Sequence, residues 1–212
     1  MSISARTAAV AAVTIAAVGL VATFIATRSG TDDRFAQCRR GVVAGGGGNI
    51  GGPFTLIDET GKTVTDKDVI TGPTLIYFGY TYCPDVCPLD SSRNAEAVTL
   101  LEDRGYMVTP VFVSVDPGRD TPELLAEFTD LMHPRMLGLT GTPEQIDAAS
   151  KAYRTYYKIQ EPNDPYYLVD HSTQTYLVFP KTGFADFFNR DATPQEMADR
   201  VACFIDVENG KK

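Results

Sequence analysis

The segment Thr74-Leu75-Ile76-Tyr77-Phe78-Gly79-Tyr80 is a mostly apolar run of the kind that forms a buried β-strand. It is followed directly by Thr81-Tyr82-Cys83-Pro84-Asp85-Val86-Cys87-Pro88, and residues 89–104 are predicted to form a helix. Two cysteines, each followed by proline, therefore lie where a strand passes into a helix. The carboxyl end of a central strand is where open α/β sheets carry their functional sites.

Cys83 and Cys87 are spaced so that both side chains can lie on one face of a helix. If both lie in the first helical turn, their Cα atoms are roughly 6 Å apart, within the ~4.4–6.8 Å range of disulfides. The same spacing lets both sulfurs reach one metal ion at ~2.3 Å. A helix N-terminus also stabilises the thiolate over the thiol. The pair is therefore predicted to be redox-active or metal-binding, with a structural disulfide or two buried thiols as the alternative.

The chain has two histidines. His171 follows an apolar run in Val169-Asp170-His171-Ser172, among polar residues that could meet the cysteine loop, and by sequence it is either a ligand or structural. His133 is expected at a helix C-terminus, where it interacts favourably with the helix dipole and needs no other role. Two thiolates and one imidazole would form a soft, trigonal set suited to copper, whereas zinc would require a fourth ligand.

Outside this region, predicted strands alternate with predicted helices. The predicted strands cover residues 54–57, 63–64, 108–115, 136–139, 166–169, 175–179 and 184–188. Three further helices are predicted to begin at a threonine that precedes a proline, namely Thr121, Thr142 and Thr193. Residues 166–169 and 175–179 are expected to pair as a hairpin. This order of elements predicts an α/β sandwich on a mixed sheet.

The N-terminus reads as a membrane segment, because residues 7–27 carry no charge. The apolar run of residues 8–26 approaches the ~20 residues that a helix needs to cross a bilayer. Residues 1–28 are therefore predicted to be a single-pass signal-anchor, with a cleaved signal peptide as the alternative. The few residues before the run are too short for a mitochondrial presequence, which favours a bacterial inner membrane.

Residues 29–49 are rich in Gly and are predicted to form a linker, and residues 50–209 are predicted to form one domain. A signal-anchor would place this C-terminal domain in the periplasm. The formal net charge of −8 argues against nucleic acid as a partner.

Several motifs of this chain resemble those of the Sco/SenC family. They are, in order, Gly52-Pro53-Phe54, the run of residues 77–88, Val113-Ser114-Val115-Asp116-Pro117 with Arg119-Asp120-Thr121-Pro122-Glu123, and Val169-Asp170-His171-Ser172. The resemblance covers about residues 50–206. It implies a thioredoxin-like fold tethered to a membrane by one N-terminal helix. It also implies a role in assembling the copper centre of cytochrome c oxidase subunit II, as a copper donor, a thiol reductant for that subunit, or both.

Carried onto this chain, the resemblance implies that Cys83 and Cys87 are thiolate ligands and a redox pair, and that His171 is the third ligand. The bound ion would be copper, as Cu(I) or Cu(II). The implied partners are cytochrome c oxidase subunit II or a related cuproprotein, and a protein that donates the copper. The chain is expected to be a metallochaperone rather than an enzyme, apart from thiol–disulfide reduction.

Other roles remain open at this stage. The alternative function is a metal-independent thiol–disulfide oxidoreductase of thioredoxin fold, which needs both cysteines but not His171. A peroxidase is a third hypothesis, suggested by Thr81 near Cys83 and by a nearby arginine. Asp85 is a candidate for hydrogen bonding within the cysteine loop, and Asp170 is either a partner of the histidine or a plain turn residue.

Cys38 and Cys203 lie outside the family pattern. If Cys83 pairs with Cys87, the remaining pairing is Cys38 with Cys203, which would join the linker to the last helix. In an oxidising compartment this bond is the favoured expectation. The alternative is two free thiols, with Cys203 a small buried residue of the helix.

Overall fold

The computed structural model describes residues 14–23, 33–40 and 50–211. The chain divides into two compact units, Met1–Ala36 and Gln37–Lys212. In the first unit, residues 14–23 are helical and are labelled α1. Among the helices of the described ranges, none is both long enough and apolar enough to cross a membrane. Apart from residues 14–23 and 33–40, the predicted signal-anchor of residues 1–28 and the predicted linker of residues 29–49 lie outside the described residues.

The second unit is built on a mixed seven-stranded sheet with the order β2-β1-β5-β4-β3-β8-β9. Strand β3 pairs in parallel with β4 and β4 with β5, whereas β3 pairs antiparallel with β8. Strands β6 and β7 form a separate two-stranded antiparallel sheet. The strands are β1 (Thr55–Asp58), β2 (Thr63–Thr65), β3 (Thr74–Gly79), β4 (Thr109–Ser114), β5 (Leu137–Thr140), β6 (Tyr157–Ile159), β7 (Val169–His171), β8 (Thr175–Phe179) and β9 (Gly183–Phe188).

The helices of this unit connect and cover the strands. They are α2 (Asp66–Val69), α3 (Val86–Glu102), α4 (Pro122–Met132), α5 (Pro143–Ala152) and α6 (Pro194–Glu208). Helices α4, α5 and α6 begin as predicted, with proline at the start and an N-cap threonine whose hydroxyl accepts a backbone hydrogen bond. The alternation of helices with a mixed sheet confirms the predicted α/β class.

Strand β3 lies in the middle of the sheet, and all six of its residues are buried. Within β3, the consecutive residues Tyr77 and Phe78 pack on opposite faces of the sheet, because side chains alternate along a strand. The ring centroid of Tyr77 lies 6.0 Å from that of Phe112, and the ring centroid of Phe78 lies 5.5 Å from that of Tyr153. Because both faces are covered, β3 is a rigid support for the loop at its carboxyl end.

Two sequence-based expectations are wrong. Helix α3 begins at Val86 rather than at residue 89, so Cys87 lies in its first turn while Cys83 precedes the helix. Strand β7 pairs with β6, which the sequence did not predict, and β8 pairs with β3 and β9 instead of with residues 166–169. Strand β6 has three residues, too few for a period of two to be recognised.

Cys38 and Cys203 form a disulfide with a Cα–Cα distance of 5.7 Å, so the favoured pairing is confirmed. The residues that follow Cys38 are also attached to the domain. The guanidinium of Arg39 donates to the carbonyl of Ala185 at 2.8 Å, and Arg40 forms an ion pair with Glu196. The segment around Cys38 is therefore held against α6 and β9.

Candidate metal centre

The loop that links β3 to α3 carries Cys83, whose sulfur serves as the cap of the helix. Asp85 occupies the N-cap position, but its side chain makes no capping hydrogen bond. Instead, the backbone N–H of Cys87 donates to Cys83 Sγ at 3.2 Å. The N–H of Cys83 donates in turn to the carbonyl of Tyr80 at 3.3 Å. An orphan donor of the helix start is thus directed at a sulfur, which favours the thiolate form of Cys83.

Cys87 is fully buried and packs against the backbone of β3. A Cβ atom built on Gly79 would lie only 3.0 Å from Cys87 Sγ. Glycine at this position is therefore what allows the strand and the sulfur to come so close. Sequence reasoning did not single out Gly79, although a glycine within a strand pattern is a signal of close backbone approach.

His171 lies on β7, and its Nε2 atom is 3.2 Å from Cys87 Sγ. Its Nδ1 atom is 2.8 Å from the carbonyl oxygen of Ser172, which can only accept a hydrogen bond. In the neutral ring the proton is therefore on Nδ1, and Nε2 presents its lone pair to the sulfurs. The rings of Tyr77 and Tyr80 pack edge-on against the imidazole. A backbone partner on the second nitrogen is typical of metal-binding histidines.

The two cysteines hold protons unequally. A hydrogen bond from the Cys87 side chain is the largest cause that lowers the pKa of Cys83, to about 3, although burial of Cys83 acts in the opposite direction. The same hydrogen bond, together with burial, raises the pKa of Cys87 above its usual value. At neutral pH the pair is therefore a thiolate at Cys83 beside a thiol at Cys87. Because the thiolate is the nucleophile and the metal ligand, Cys83 is the reactive sulfur.

The three predicted site residues come together as a possible donor set. The two sulfurs and a ring nitrogen of His171 lie within 4.8 Å of one another. Three donors at ~2.0–2.3 Å from one ion in a plane stand roughly 3.5–4 Å apart, so a closure of about 1 Å would suffice. Within the described ranges this is the one cluster of three or more such ligands. Two sulfurs and an imidazole without a fourth protein ligand fit copper better than zinc.

The buried carboxylate of Asp120 holds the cysteine loop in place. The backbone N–H of Thr81 donates to Asp120 Oδ2 at 3.1 Å, and its hydroxyl donates to Oδ1 at 2.6 Å. The hydroxyl of Ser114, at the end of β4, donates to Oδ2 at 2.5 Å. Burial is the main reason that the pKa of Asp120 is raised. Because the Thr81 hydroxyl is engaged by Asp120 and not by Cys83, the geometry does not favour the peroxidase hypothesis.

The remaining polar candidates have local roles. The carboxylate of Asp170 is exposed and accepts a hydrogen bond from Gln160, so it is not the partner of the imidazole Nδ1. His133 accepts a hydrogen bond from the N–H of Arg135 at 3.1 Å, and its Nε2 faces Glu102 at 3.5 Å. His133 is thus a structural residue, as predicted.

Most of the second unit is similar to known proteins. A family model described as SCO1/SenC matches residues 43–206. Protein SenC of Rhodobacter capsulatus is 63% identical over 209 residues, which cover 98% of this chain and 94% of that protein. The human protein SCO1 homolog, mitochondrial, is 40% identical over 160 residues, which cover 72% of this chain and 52% of that protein.

Solved structures agree with these sequence matches. The crystal structure of Arabidopsis thaliana ScoI with copper bound is 42% identical, has a TM-score of 0.69, and covers 73% of this chain and 98% of that one. The structure of Bradyrhizobium japonicum ScoI with copper bound is 40% identical, has a TM-score of 0.66, and covers 72% of this chain and 98% of that one. These likenesses confirm the thioredoxin-like fold that the motifs implied. The chain belongs to the SCO1/SenC family.

Proposed function

We propose that this protein binds copper and assists the assembly of the binuclear copper centre of cytochrome c oxidase subunit II, by copper delivery, thiol reduction, or both. The observation that carries the proposal is the convergence of Cys83, Cys87 and His171 on one point, with no fourth protein ligand among the described residues. Two relatives at 42% and 40% identity have structures with copper bound. A third, BsSco, is 25% identical with a TM-score of 0.58 and is described as a member of the Sco family of cytochrome c oxidase assembly proteins.

Copper is the cargo of the proposed site, and each ligand is prepared differently for it. Cys83 is already a thiolate, because its pKa is lowered to about 3. Cys87 must lose its proton when copper binds, so copper binding releases this one thiol proton. In the neutral ring of His171, Nε2 carries the lone pair, because Nδ1 donates to the Ser172 carbonyl. Cys87 is buried and His171 is only half-buried. The ion would therefore be approached, and handed on, from the side of His171.

The proposed setting is a bacterial inner membrane, with residues 1–28 as a single-pass anchor and the copper-binding domain in the periplasm. This setting is supported by the uncharged run of residues 7–27 and by the disulfide between Cys38 and Cys203. Disulfides persist in oxidising compartments such as the periplasm. The proposed partners are subunit II or a related cuproprotein as acceptor and a copper-donating protein upstream.

The test is metal binding by residues 33–212, expressed without the predicted anchor. The parent is expected to bind one copper ion per domain and to show a sulfur-to-copper charge-transfer band with Cu(II). Cys83→Ser and Cys87→Ser are expected to abolish both. His171→Ala is expected to weaken binding by more than the ~10–100-fold that loss of a ligand's supporting hydrogen bond costs. Equal copper affinity in the parent and in His171→Ala would refute the three-ligand site.

A metal-independent thiol–disulfide oxidoreductase remains the second candidate, and the Cys83 thiolate favours it. In that reaction Cys83 attacks one sulfur of a partner disulfide, which forms a mixed disulfide and releases the partner's other sulfur as a thiolate. Cys87 then loses its proton and attacks Cys83, which closes the Cys83–Cys87 disulfide and leaves the partner as a dithiol. Full reduction of a disulfide-containing subunit II peptide by metal-free His171→Ala protein would support this candidate.

A further inference from the structure

The three ligands of the proposed site come from two parts of the domain. Both cysteines are supported by β3 and α3, which belong to the seven-stranded sheet and its covering helices. His171 lies in the two-stranded sheet of β6 and β7, which has no backbone pairing with the larger sheet. We call residues 156–172 the histidine arm. The distance from His171 to the sulfurs therefore depends on contacts that join this arm to the body of the domain.

One such contact is made by Tyr167, two residues before β7 begins. Its hydroxyl donates to Oδ1 of Asp116 at 2.6 Å. Asp116 follows β4, has no exposed surface, and is fixed by its own N–H, which donates to the Ser114 hydroxyl at 3.0 Å. The bond therefore ties the arm to a rigid point at the carboxyl end of a central strand.

Arg119 completes the connection from the other side. Its Nε donates to Oδ2 of Asp116 at 2.5 Å, so one carboxylate holds both the arginine and the tyrosine. The guanidinium carbon lies 3.6 Å from the ring centroid of Tyr167 and 4.8 Å from that of Tyr82. Tyr82 immediately precedes Cys83. The arginine is thus stacked between the histidine arm and the cysteine loop, a position in which lysine would not provide the same planar contact.

We propose that Asp116, Arg119 and Tyr167 form a latch that positions His171 beside Cys83 and Cys87 and thereby sets the affinity of the site for copper. The inference rests on the proposed copper function and adds residues that touch neither the sulfurs nor the imidazole. They are positioning residues. When the latch is closed, Nε2 of His171 lies 3.2 Å from Cys87 Sγ. When it is open, copper has only the two sulfurs.

The size of the effect follows from population arithmetic. Apparent affinity falls in proportion to the fraction of molecules whose arm is docked. Tyr167→Phe removes one hydrogen bond to a buried carboxylate while the ring remains against Arg119. Loss of a charge-assisted hydrogen bond lowers the ratio of docked to undocked arm by about tenfold, so we expect copper affinity to fall by up to about tenfold, the most where the undocked arm is already populated in the parent.

The experiment is a double-mutant cycle on residues 33–212, with Cu(I) affinity measured by competition against a chromophoric chelator. The four proteins are the parent, Tyr167→Phe, His171→Ala and the double variant. Tyr166→Phe is the matched control, because it makes the same chemical change one residue away on a side chain that is 86% exposed. Amide exchange of β6 and β7 in the copper-free proteins reports whether the arm has loosened, and Arg119→Lys is a second variant that leaves the arm sequence intact.

The latch is supported if Tyr167→Phe weakens binding in the parent background, has no effect in the His171→Ala background, and speeds amide exchange in the arm. An equal loss in both backgrounds, or no loss in either for both Tyr167→Phe and Arg119→Lys, would overturn it. If His171→Ala binds copper as tightly as the parent, the three-ligand site itself is wrong and the latch falls with it. That comparison of two proteins separates failure of the proposed function from failure of the latch.

Discussion

Gly79→Ala is expected to damage the copper site through Cys87 while the chain still folds. The added Cβ would lie 2.9 Å from Cε1 of Tyr77 and 3.0 Å from both Cys87 Sγ and Cε2 of Phe112, where ordinary contacts are 3.4–4 Å. All three neighbours are at most 2% exposed, so none can swing out to solvent. Overpacking of this kind costs about 1–3 kcal/mol. For a domain of this size the cost corresponds to a Tm lower by roughly 2–12 °C.

The copper affinity should fall as well, because the sulfur is one of the atoms that must move. In the copper-free variant Cys87 can shift away from the added Cβ, but copper binding would return the sulfur to its strained position. If that return costs about 1 kcal/mol, copper affinity drops about fivefold. The assay is thermal unfolding of the copper-free domain together with Cu(I) competition titration. The copper-induced rise in Tm should be smaller in the variant than in the parent.

Two other glycines supply matched controls. Gly138 lies on β5, and Gly138→Ala would place a Cβ 2.9 Å from the Cβ of Leu125 on α4. None of the atoms that this Cβ meets belongs to a cysteine, so the substitution should lower the Tm without changing copper affinity. Gly72→Ala meets nothing within 4 Å and should change neither quantity. The reasoning is refuted if Gly79→Ala has the parent's Tm, or if Gly79→Ala and Gly138→Ala have the same copper affinity.

Three further predictions address the thiols and the second histidine. The copper-free domain should keep the ultraviolet absorbance of one thiolate as the pH falls, until the pH nears the Cys83 pKa of about 3, because the folded state favours the deprotonated form. The assignment would be contradicted if this absorbance were lost near the pKa of a free thiol, or if it persisted in Cys83→Ser. In Cys203→Ser, trypsin should cut after Arg39 and Arg40 faster than in the parent, because the disulfide holds this segment on the domain; equal cleavage rates would show that the hydrogen bonds suffice. His133→Gln should bind copper like the parent in the same titration, because the ring accepts a hydrogen bond from the Arg135 N–H and faces the Glu102 carboxylate, neither of which belongs to the copper site. A weakened affinity would show that His133 and the copper site are coupled.

Much of the fold could be predicted because its signals are local. The apolar run of β3 and the threonine–proline starts of α4, α5 and α6 depend on neighbouring residues only. Strand pairing is different, since a strand's sequence does not state its partner. Residues 166–169 and 175–179 are close in sequence, and the hairpin rule paired them. The actual partner of β7 is the short strand β6, which precedes β7 in the chain and is joined to it by the loop of residues 160–168.

The candidate site could be predicted to the extent that it consists of side chains with recognisable chemistry. Cys83 and Cys87 were identified by type and spacing, and His171 by its place in a family motif. The supporting residues were not identified, because their roles depend on distance alone. Gly79 matters because it has no side chain, which leaves room for the Cys87 sulfur. Asp120 matters because it accepts hydrogen bonds from the N–H and the hydroxyl of Thr81, 39 residues earlier in the chain. A glycine within a strand pattern does signal a close approach at Gly79, but the sequence does not show which atom approaches, and the role of Asp120 has no sequence pattern.

The two proposed chemistries place different demands on the histidine arm. Thiol–disulfide exchange needs Cys83 and Cys87 alone, and the pair can close whether or not His171 is near. Copper binding needs the arm docked, because Nε2 of His171 supplies the third donor. Under the proposal, the state of the arm determines whether the pair can hold copper, whereas disulfide reduction by the pair does not require the docked arm. It follows that Tyr167→Phe should weaken copper binding while metal-free disulfide reduction proceeds at the parent's rate, since that reaction needs only the two cysteines. A parallel loss of both activities would mean that Tyr167 supports the cysteine loop itself, and the two functions would then share one rigid site instead of being separated by a movable arm.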